Sequence, residues 1–239
     1  MKELAFVGAD GDELVLDLYY PEPRAKRSPA VVIVHGFNDV GYQRILGSRF
    51  KDSAWTVGWG QKIAGAGMVA IAYTNRQPLA DAKALLGHVR ENAEALGVDE
   101  NKIGILSCSG HGPVALSLAM SDRQLKCGAF LYPYLMDLDG ATAVADAQKT
   151  WRFENPCEGK SLDDLPPEFP LFIARAGKDE MPGLNETLDR FVSSAQANRL
   201  PITLVDLPSA PHAFDLADSD LSRDVIRQVL AFLFERLDK

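Results

Sequence analysis

Short apolar runs alternate with stretches of helical periodicity along nearly the whole chain, and this alternation limits the possible folds more than any other feature. The run PAVVIVHG (29–36) is continuous and rich in β-branched residues, which is typical of a strand buried on both faces of a sheet. Later runs of the same character predict strands at 67–74, 102–108, 126–133, 170–177 and 201–208.

The segments between these runs carry apolar residues at helical spacing. The chain begins with ELAFVGADGDELVLDLYYP (3–21), in which two alternating runs flank Asp10-Gly11, and this pattern predicts an antiparallel hairpin. Strands that alternate with helices predict an α/β fold, with a mostly parallel central sheet of about eight strands, the hairpin at its start and helices on both faces. The helices are expected at 53–66, 79–96, 110–121, 183–198 and 218–237.

One polar segment, residues 134–169, interrupts this alternation. It lies between two predicted strands, contains Pro156, Pro166 and Pro167, and is long for a plain connection. We therefore expect a single domain over residues 1–239, in which this segment forms a small cap-like insertion.

The charge and hydropathy of the chain argue against several classes of protein. The net charge is −8 and the pI is near 5.0, whereas nucleic-acid-binding proteins usually carry a basic patch. No run reaches the roughly 18 apolar residues typical of a membrane helix, and the N-terminal strands lack the apolar core of a secretion signal. We therefore expect a cytoplasmic protein, a monomer or a homodimer, with a small-molecule substrate and no nucleic-acid or membrane partner.

The three cysteines, Cys108, Cys127 and Cys157, are an odd number without CxxC spacing. They form the pattern of neither a disulfide framework nor a zinc site. The sequence also lacks a Walker loop and a dinucleotide-binding fingerprint, so we expect neither a metal nor a cofactor.

Several nucleophilic side chains lie where a predicted strand runs into a helix, in KIGILSCSGHGPVALSLAM (102–120). In open α/β sheets, reactive groups collect at the carboxyl ends of the strands. A nucleophile on a sharp turn there is exposed, and the next backbone N–H lies at the positive end of a helix. Such a turn requires small residues two positions before and after the nucleophile. Cys108 and Ser109 each satisfy half of this requirement and Ser107 satisfies it poorly, so the first two stay open.

The stretch VDENKIGILSCSGHG (98–112) resembles the strand, nucleophile turn and helix of α/β-hydrolases, in which G-x-S-x-G-G is common. In that register Ser109 takes the nucleophile position, Ser107 and His111 replace two glycines, and Gly112 matches the third. The resemblance therefore implies that Ser109 is the nucleophile. Cys108 stays as an alternative, because dienelactone hydrolases, a branch of the same superfamily, use a cysteine.

A serine hydroxyl reacts only when a base accepts its proton and a carboxylate orients that base. In α/β-hydrolases the chain order is nucleophile, acid, histidine. Of the four histidines, His212 follows the last predicted strand, and the resemblance implies that it is the base. Asp179 follows the preceding strand and is the implied acid, with Glu180 as its alternate. The stretch AGKDEMPGLNETLDRF followed by PHAFD resembles dienelactone hydrolase-like members and supports the same pair.

The run VVIVHGFND ends in His35-Gly36-Phe37, which resembles the oxyanion loop of the superfamily. The resemblance implies that the backbone N–H groups of Phe37 and Gly110 stabilise the oxyanion, while His35 braces the loop. Candidates for substrate binding are Asn38, Cys108, His111 and Trp151. Further aromatic residues that could line an apolar pocket are Trp55, Trp59, Tyr132, Tyr134 and Phe153.

These features predict a serine hydrolase that cleaves small carboxylic esters through an acyl-enzyme intermediate, that is, a carboxylesterase. The alternative enzyme is a lactone hydrolase of the dienelactone hydrolase type, with Cys108 as nucleophile. Ser107 and His111 depart from the common motif, and a fold does not guarantee an activity. A catalytically inactive hydrolase fold that binds a ligand is therefore an alternative from another class.

Overall fold

The computed structural model, which describes residues 1–238, is built around an eight-stranded sheet. The strands are β1 (Lys2–Val7), β2 (Glu13–Tyr19), β3 (Ser28–Ile33), β4 (Val69–Tyr73), β5 (Val98–Cys108), β6 (Gly128–Leu131), β7 (Leu171–Lys178) and β8 (Ile202–Pro211). Their order in the sheet is β1-β2-β4-β3-β5-β6-β7-β8. β2 pairs antiparallel with β1 and β4, and the other pairs are parallel. The predicted α/β architecture with its N-terminal hairpin is confirmed.

The α-helices of the described residues follow the strands in alternation. They are α1 (Asp39–Leu46), α2 (Ala54–Gly65), α3 (Pro78–Glu91), α4 (Ala93–Leu96), α5 (Gly112–Ser121), α6 (Ala143–Trp151), α7 (Leu184–Ala197) and α8 (Asp220–Leu237). None of these helices combines the length and the apolar composition needed to cross a lipid bilayer.

Helices cover both faces of the sheet, and each face has its own apolar core. Successive side chains of a strand point to opposite faces. Val32 of β3 therefore joins the core completed by α3, α5 and α7, whereas its neighbour Val31 joins the core completed by α2 and α8. Both side chains are completely buried. This two-sided burial is the physical reason why the central strands are apolar without alternation.

Two elements differ from the predicted ones, because the backbone geometry changes within them. The helix expected at 79–96 is interrupted at Asn92, and its second part ends at Gly97, whose φ of +66° is a left-handed conformation that favours glycine. The strand expected at 126–133 spans only Gly128–Leu131, since Tyr132 has a φ of +37° and leaves the sheet.

Helix α1 has no counterpart among the predicted elements. It begins behind Asn38, whose Oδ1 accepts the backbone N–H of Gly41 at 2.7 Å. A surface helix is usually recognised by an apolar stripe that faces the core. The aliphatic side chains of α1 are exposed instead, so this signal is missing from its sequence. These exposed side chains are Val40, Ile45 and Leu46.

Residues 134–169 pack into the main core and do not stand apart from it. They contain α6 and a short 3-10 turn, Leu162–Asp164. Glu154 joins the segment to two other elements, because its N–H donates to the carbonyl oxygen of Gly36 at 2.7 Å and its carboxylate accepts the Leu79 N–H of α3 at 3.0 Å. The buried apolar side chains of the segment lie in the core shared with α3 and α5, and they include Tyr134, Leu135, Met136, Phe153, Leu162, Leu165 and Phe169.

Candidate active site

Ser109 lies at the turn between β5 and α5. Its φ is +47°, a conformation that is unfavourable for residues other than glycine, and residues held in such conformations cluster at functional sites. At Gly112, the first residue of α5, a Cβ would lie 2.0 Å from the carbonyl oxygen of Tyr134. A side chain at this position would displace the backbone that follows β6. The turn therefore requires glycine there, and it presents Ser109 at the carboxyl edge of the sheet.

His212 and Asp179 form a hydrogen-bonded pair at the same edge. His212 directly follows β8, and its Nδ1 lies 2.6 Å from Oδ2 of Asp179. The Asp179 side chain is completely buried, and its Oδ1 accepts the Met181 N–H at 2.9 Å. The carboxylate is thus fixed by two donors, and it orients the imidazole with Nε2 free to act on another group. Glu180, the alternate acid, is exposed.

Ser109 and His212 line one cavity of about 370 Å³. Among the residues that the structure describes, no hydrogen bond joins the Ser109 hydroxyl to His212, and no Asp, Glu, Lys or Arg side chain lines the cavity. No cluster of His, Cys, Asp and Glu suited to a metal ion occurs within residues 1–238. The walls are mostly aromatic, with Phe37, Tyr42, Phe50, Trp55, Tyr132 and Phe153 among the lining residues.

Two histidines hold the backbone of the loop that follows β3. The Gly36 N–H donates to Nδ1 of His111 at 2.9 Å, and the Phe37 N–H donates to Nδ1 of His35 at 3.3 Å. The other nitrogen of His35, Nε2, lies 3.0 Å from Asp39, which assigns its proton to Nε2. Burial lowers the pKa of His35, so the ring is neutral. The Phe37 N–H, expected to face an oxyanion, is therefore directed at His35 by a long hydrogen bond.

His111 fits at a position where glycine is usual because the loop beside it has no side chain. A Cβ on Gly36 would lie 2.6 Å from both the Gly110 carbonyl oxygen and the Cα of His111. The imidazole of His111 stacks on Phe50 with ring centroids 4.0 Å apart and meets the Phe37 ring edge-on at 5.0 Å. Burial lowers the pKa of His111 well below its usual value, so this ring is also neutral.

Comparison with known proteins bears on the fold. No protein-family model matches the chain, and no curated protein sequence matches it. Among solved structures, a bacterial heroin esterase matches with a TM-score of 0.74 at 17% identity, over 99% of this chain and 84% of that one. Esterase 2 of Thermogutta terrifontis, phosphoramylated by tabun, matches with a TM-score of 0.74 at 20% identity, over 98% and 94%. An esterase of the archaeon Pyrobaculum calidifontis matches with a TM-score of 0.73 at 19% identity, over 97% and 82%. The chain has the α/β-hydrolase fold.

In this α/β-hydrolase fold, the two other candidate nucleophiles are buried. Cys108 lines the cavity, but burial raises the pKa of its thiol well above the usual value and the charge of Asp215 raises it further. Since the thiolate is the reactive form, this environment disfavours Cys108 as a nucleophile. Ser107 is completely buried, and its hydroxyl has no hydrogen-bond partner among the described residues.

The candidate substrate-binding residues differ in their positions. Cys108, His111 and Trp151 line the cavity, and Trp151 lies 39% exposed. Asn38 is not among the described lining residues, because its side chain caps α1. Trp59, which the sequence placed among the pocket aromatics, is also absent from the described lining residues.

Asp215 is a buried carboxylate that the sequence analysis did not single out. Its Oδ2 accepts the indole N–H groups of Trp55 and Trp59 at 2.7 and 2.8 Å, and its Oδ1 accepts the Tyr132 hydroxyl at 2.6 Å. Tyr132 meets the ring of His212 edge-on, with centroids 4.6 Å apart, so Asp215 fixes the wall beside His212. The sequence did carry a signal for this cluster. Trp55 and Trp59 are four residues apart and therefore lie on one helix face, and Asp215 lies in the stretch PHAFD that follows the last predicted strand.

Tyr42, Phe50 and Met181 also line the cavity without having been predicted to do so. Tyr42 belongs to α1, the helix that the sequence did not indicate, and Phe50 begins the 3-10 turn after it. No local motif marks these three residues, because their place at the cavity depends on how the segments that carry them pack together.

Proposed function

We propose that the protein is a serine hydrolase that cleaves small carboxylic esters through an acyl-enzyme intermediate. The observation that carries this proposal is the hydrogen bond between His212 and the buried carboxylate of Asp179, beside the strained Ser109 turn and on one apolar cavity. The esterases of the same fold support it, although their identity to this chain is at most 20% among those described above.

In the proposed reaction, Nε2 of His212 accepts the proton of Ser109 while Ser109 Oγ attacks the ester carbonyl carbon. Nδ1 stays bonded to Asp179, whose negative charge stabilises the imidazolium that forms. His212 then protonates the leaving alcohol. Water, activated by the same imidazole, hydrolyses the acyl-enzyme, releases the acid and restores the Ser109 hydroxyl.

The oxyanion formed in both steps requires backbone donors near the start of α5. The Gly110 N–H follows the nucleophile directly and lies at the positive end of this helix. The Phe37 N–H would serve as a second donor by sharing or breaking its 3.3 Å bond to His35. One such donor typically lowers the activation free energy by about 3 kcal/mol, which favours transfer of the Phe37 N–H from the His35 ring to the oxyanion.

A fluorophosphonate that labels active serines tests the nucleophile, with peptide mass mapping to locate the adduct. We expect an adduct on Ser109 in the native protein, a much slower reaction in His212→Ala and unchanged labelling in the matched variant Ser107→Ala. Turnover of p-nitrophenyl acetate should be lost together with the label. A stable adduct elsewhere, or labelling that is insensitive to His212→Ala, would contradict the proposed mechanism.

The rival nucleophile is tested with iodoacetamide. Because burial raises the pKa of the Cys108 thiol, we expect esterase activity to survive exposure to the reagent at neutral pH. Inactivation that accompanies alkylation of Cys108, without a Ser109 adduct, would instead support the lactone hydrolase alternative. Absence of both labelling and turnover on a panel of esters and lactones would support an inactive, ligand-binding hydrolase fold.

A further inference from the structure

Most of the buried polar side chains on the cavity wall are engaged by other parts of the protein. The indole N–H of Trp55 and the hydroxyl of Tyr132 are both bound to Asp215. The hydroxyl of Tyr134 donates to the carbonyl oxygen of Pro182 at 2.8 Å. These groups form the wall, but their donors are not available to a ligand.

Tyr42 and His111 are different. Both line the cavity, Tyr42 is 9% and His111 4% exposed, and their ring centroids are 5.9 Å apart. Among residues 1–238, no hydrogen bond engages the Tyr42 hydroxyl or Nε2 of His111, and neither atom is among the solvent-excluded polar atoms that lack a partner, so both are open to the cavity. Two polar groups that no protein atom engages, on the wall of an otherwise apolar cavity, are available to pair with a ligand and to orient it.

The hydrogen-bonding role of His111 follows from its other nitrogen. Nδ1 accepts the Gly36 N–H, so the proton of the neutral ring is on Nε2. Stacking on Phe50 fixes the plane of the ring. His111 therefore offers one N–H donor in a fixed orientation. Burial raises the pKa of Tyr42 to about 12, so its hydroxyl stays protonated and can donate or accept.

The charge of this wall limits what the pair can bind. Two neutral donors suit a neutral oxygen, such as an ether, carbonyl or hydroxyl oxygen. A carboxylate would lose its hydration in an apolar cavity where, among the described lining residues, no Lys or Arg compensates its charge. The described lining residues also include no Asp or Glu that could bind an ammonium group.

We propose that Tyr42 and His111 form a polar subsite that recognises a second, uncharged oxygen in the substrate, in addition to the ester group. The preferred substrates are then neutral esters whose acid or alcohol portion carries an ether, keto or hydroxyl oxygen, rather than simple alkyl esters. The assignment of the ligand as an ester depends on the proposed function, whereas the subsite itself does not.

Ligand binding tests the subsite without requiring catalysis. Heptan-2-one is compared with three ether ketones in which oxygen replaces one methylene: 1-propoxypropan-2-one, 4-ethoxybutan-2-one and 5-methoxypentan-2-one. Trp55 and Trp151 line the cavity, so dissociation constants are measured from tryptophan fluorescence. We expect the wild type to bind at least one ether ketone more tightly than heptan-2-one. In Tyr42→Phe the ratio of the two dissociation constants should fall about tenfold, as expected for the loss of one hydrogen bond.

Two further variants separate the subsite from general damage to the cavity. His111→Phe keeps an aromatic ring on Phe50 but has no donor, and it should also reduce the preference. If it fails to fold, Tyr42→Phe decides the question alone. Tyr134→Phe removes a hydroxyl that is already bound to Pro182, so it should leave the preference unchanged.

The subsite is refuted if the ratio of dissociation constants is the same in the wild type and Tyr42→Phe for all three ether ketones. It is also refuted if Tyr134→Phe lowers the ratio as much as Tyr42→Phe does. A preference that is lost in Tyr42→Phe, in a protein without Ser109 labelling or turnover, would support the subsite while contradicting the proposed esterase activity. The two proposals can therefore fail separately.

Discussion

Asp179 is the buried side chain on which the proposed reactivity of His212 depends. Its carboxylate accepts both the Met181 N–H and the Nδ1–H of His212. In Asp179→Asn, the amide can donate to Nδ1 and stabilise the wrong imidazole tautomer, which leaves Nε2 protonated and unable to accept the Ser109 proton. We expect kcat/KM for p-nitrophenyl acetate to fall about 10³- to 10⁴-fold, as in other triads of this kind.

The matched control is Glu180→Gln, a change at the exposed neighbouring acid. We expect kcat/KM within about twofold of the wild type, since surface substitutions rarely perturb a site. Equal losses in both variants, or a large loss only in Glu180→Gln, would show that Asp179 does not orient the base.

At the residue scale, chain order was enough to predict where three candidate residues lie, whereas their roles stay predictions. Ser109, Asp179 and His212 each follow a predicted strand, and parallel strands end at the same edge of the sheet. The sequence could not indicate that the Phe37 N–H is directed at His35, because this depends on backbone orientation. Nor could it show that His111 fits beside Gly36, because the two are distant in sequence.

At the element scale, the start of α5 leaves less room for a Cβ than any other described glycine position. Gly112→Ala would place a Cβ 2.0 Å from the Tyr134 carbonyl oxygen, so α5 or the segment after β6 must shift. We expect the free energy of unfolding to decrease by about 2–3 kcal/mol, in the range of overpacked cores. Urea unfolding followed by circular dichroism measures this change, and esterase activity should also fall because Ser109 lies in the same turn.

Gly87→Ala in α3 is the control for this substitution. A Cβ at Gly87 would meet no atom within 4 Å, and alanine stabilises a helix relative to glycine. We expect the free energy of unfolding to rise by up to about 1 kcal/mol. If Gly112→Ala unfolds at the same urea concentration as the wild type, then the turn can accommodate the Cβ without a loss of stability.

The elements that the sequence predicted and those it did not differ in what stabilises them. Strands such as β3 and helices such as α5 are buried and apolar, and their local amino-acid composition is enough to predict this. Helix α1 instead depends on the Asn38 cap and exposes its aliphatic side chains. The wall of the cavity that carries Tyr42 was therefore not predictable from periodicity.

At the scale of the whole molecule, two buried histidines connect stability to pH. Burial lowers the pKa of both His35 and His111 relative to the unfolded chain, where the value is about 6.5. Below that pH the unfolded chain binds protons that the native protein does not bind. The stabilising contribution is therefore complete above about pH 6.5 and is lost as the pH falls, by up to about 1.4 kcal/mol per pH unit for each histidine.

Urea unfolding at pH 7.5, 6.5 and 5.5 measures this dependence. In His111→Gln we expect a shallower decline of the free energy of unfolding below pH 6.5 than in the wild type. Tyr42→Phe alters the same wall, but the pKa of Tyr42 is about 12, so this variant should keep the wild-type slope. If His111→Gln also keeps that slope, then His111 is not neutral in the native protein.

The global architecture was the most predictable property, since the alternation of strands and helices is repeated along the chain and each repeat supports the same sheet. The packing of residues 134–169 was the least predictable, because its polar composition indicates only that it lies outside the sheet. Its apolar side chains are spaced irregularly, and their burial depends on the surfaces that α3 and α5 offer.

The two hydrogen bonds of Glu154 limit how far residues 134–169 can move away from the rest of the fold. They join residues 134–169 to the backbone at Gly36 and to the first turn of α3, so outward swinging of the segment would break contacts beside the proposed oxyanion site. Enlarging the cavity by such a movement would therefore disrupt the proposed oxyanion site. Under the proposed function, we therefore expect esters much larger than the cavity of about 370 Å³ to react poorly.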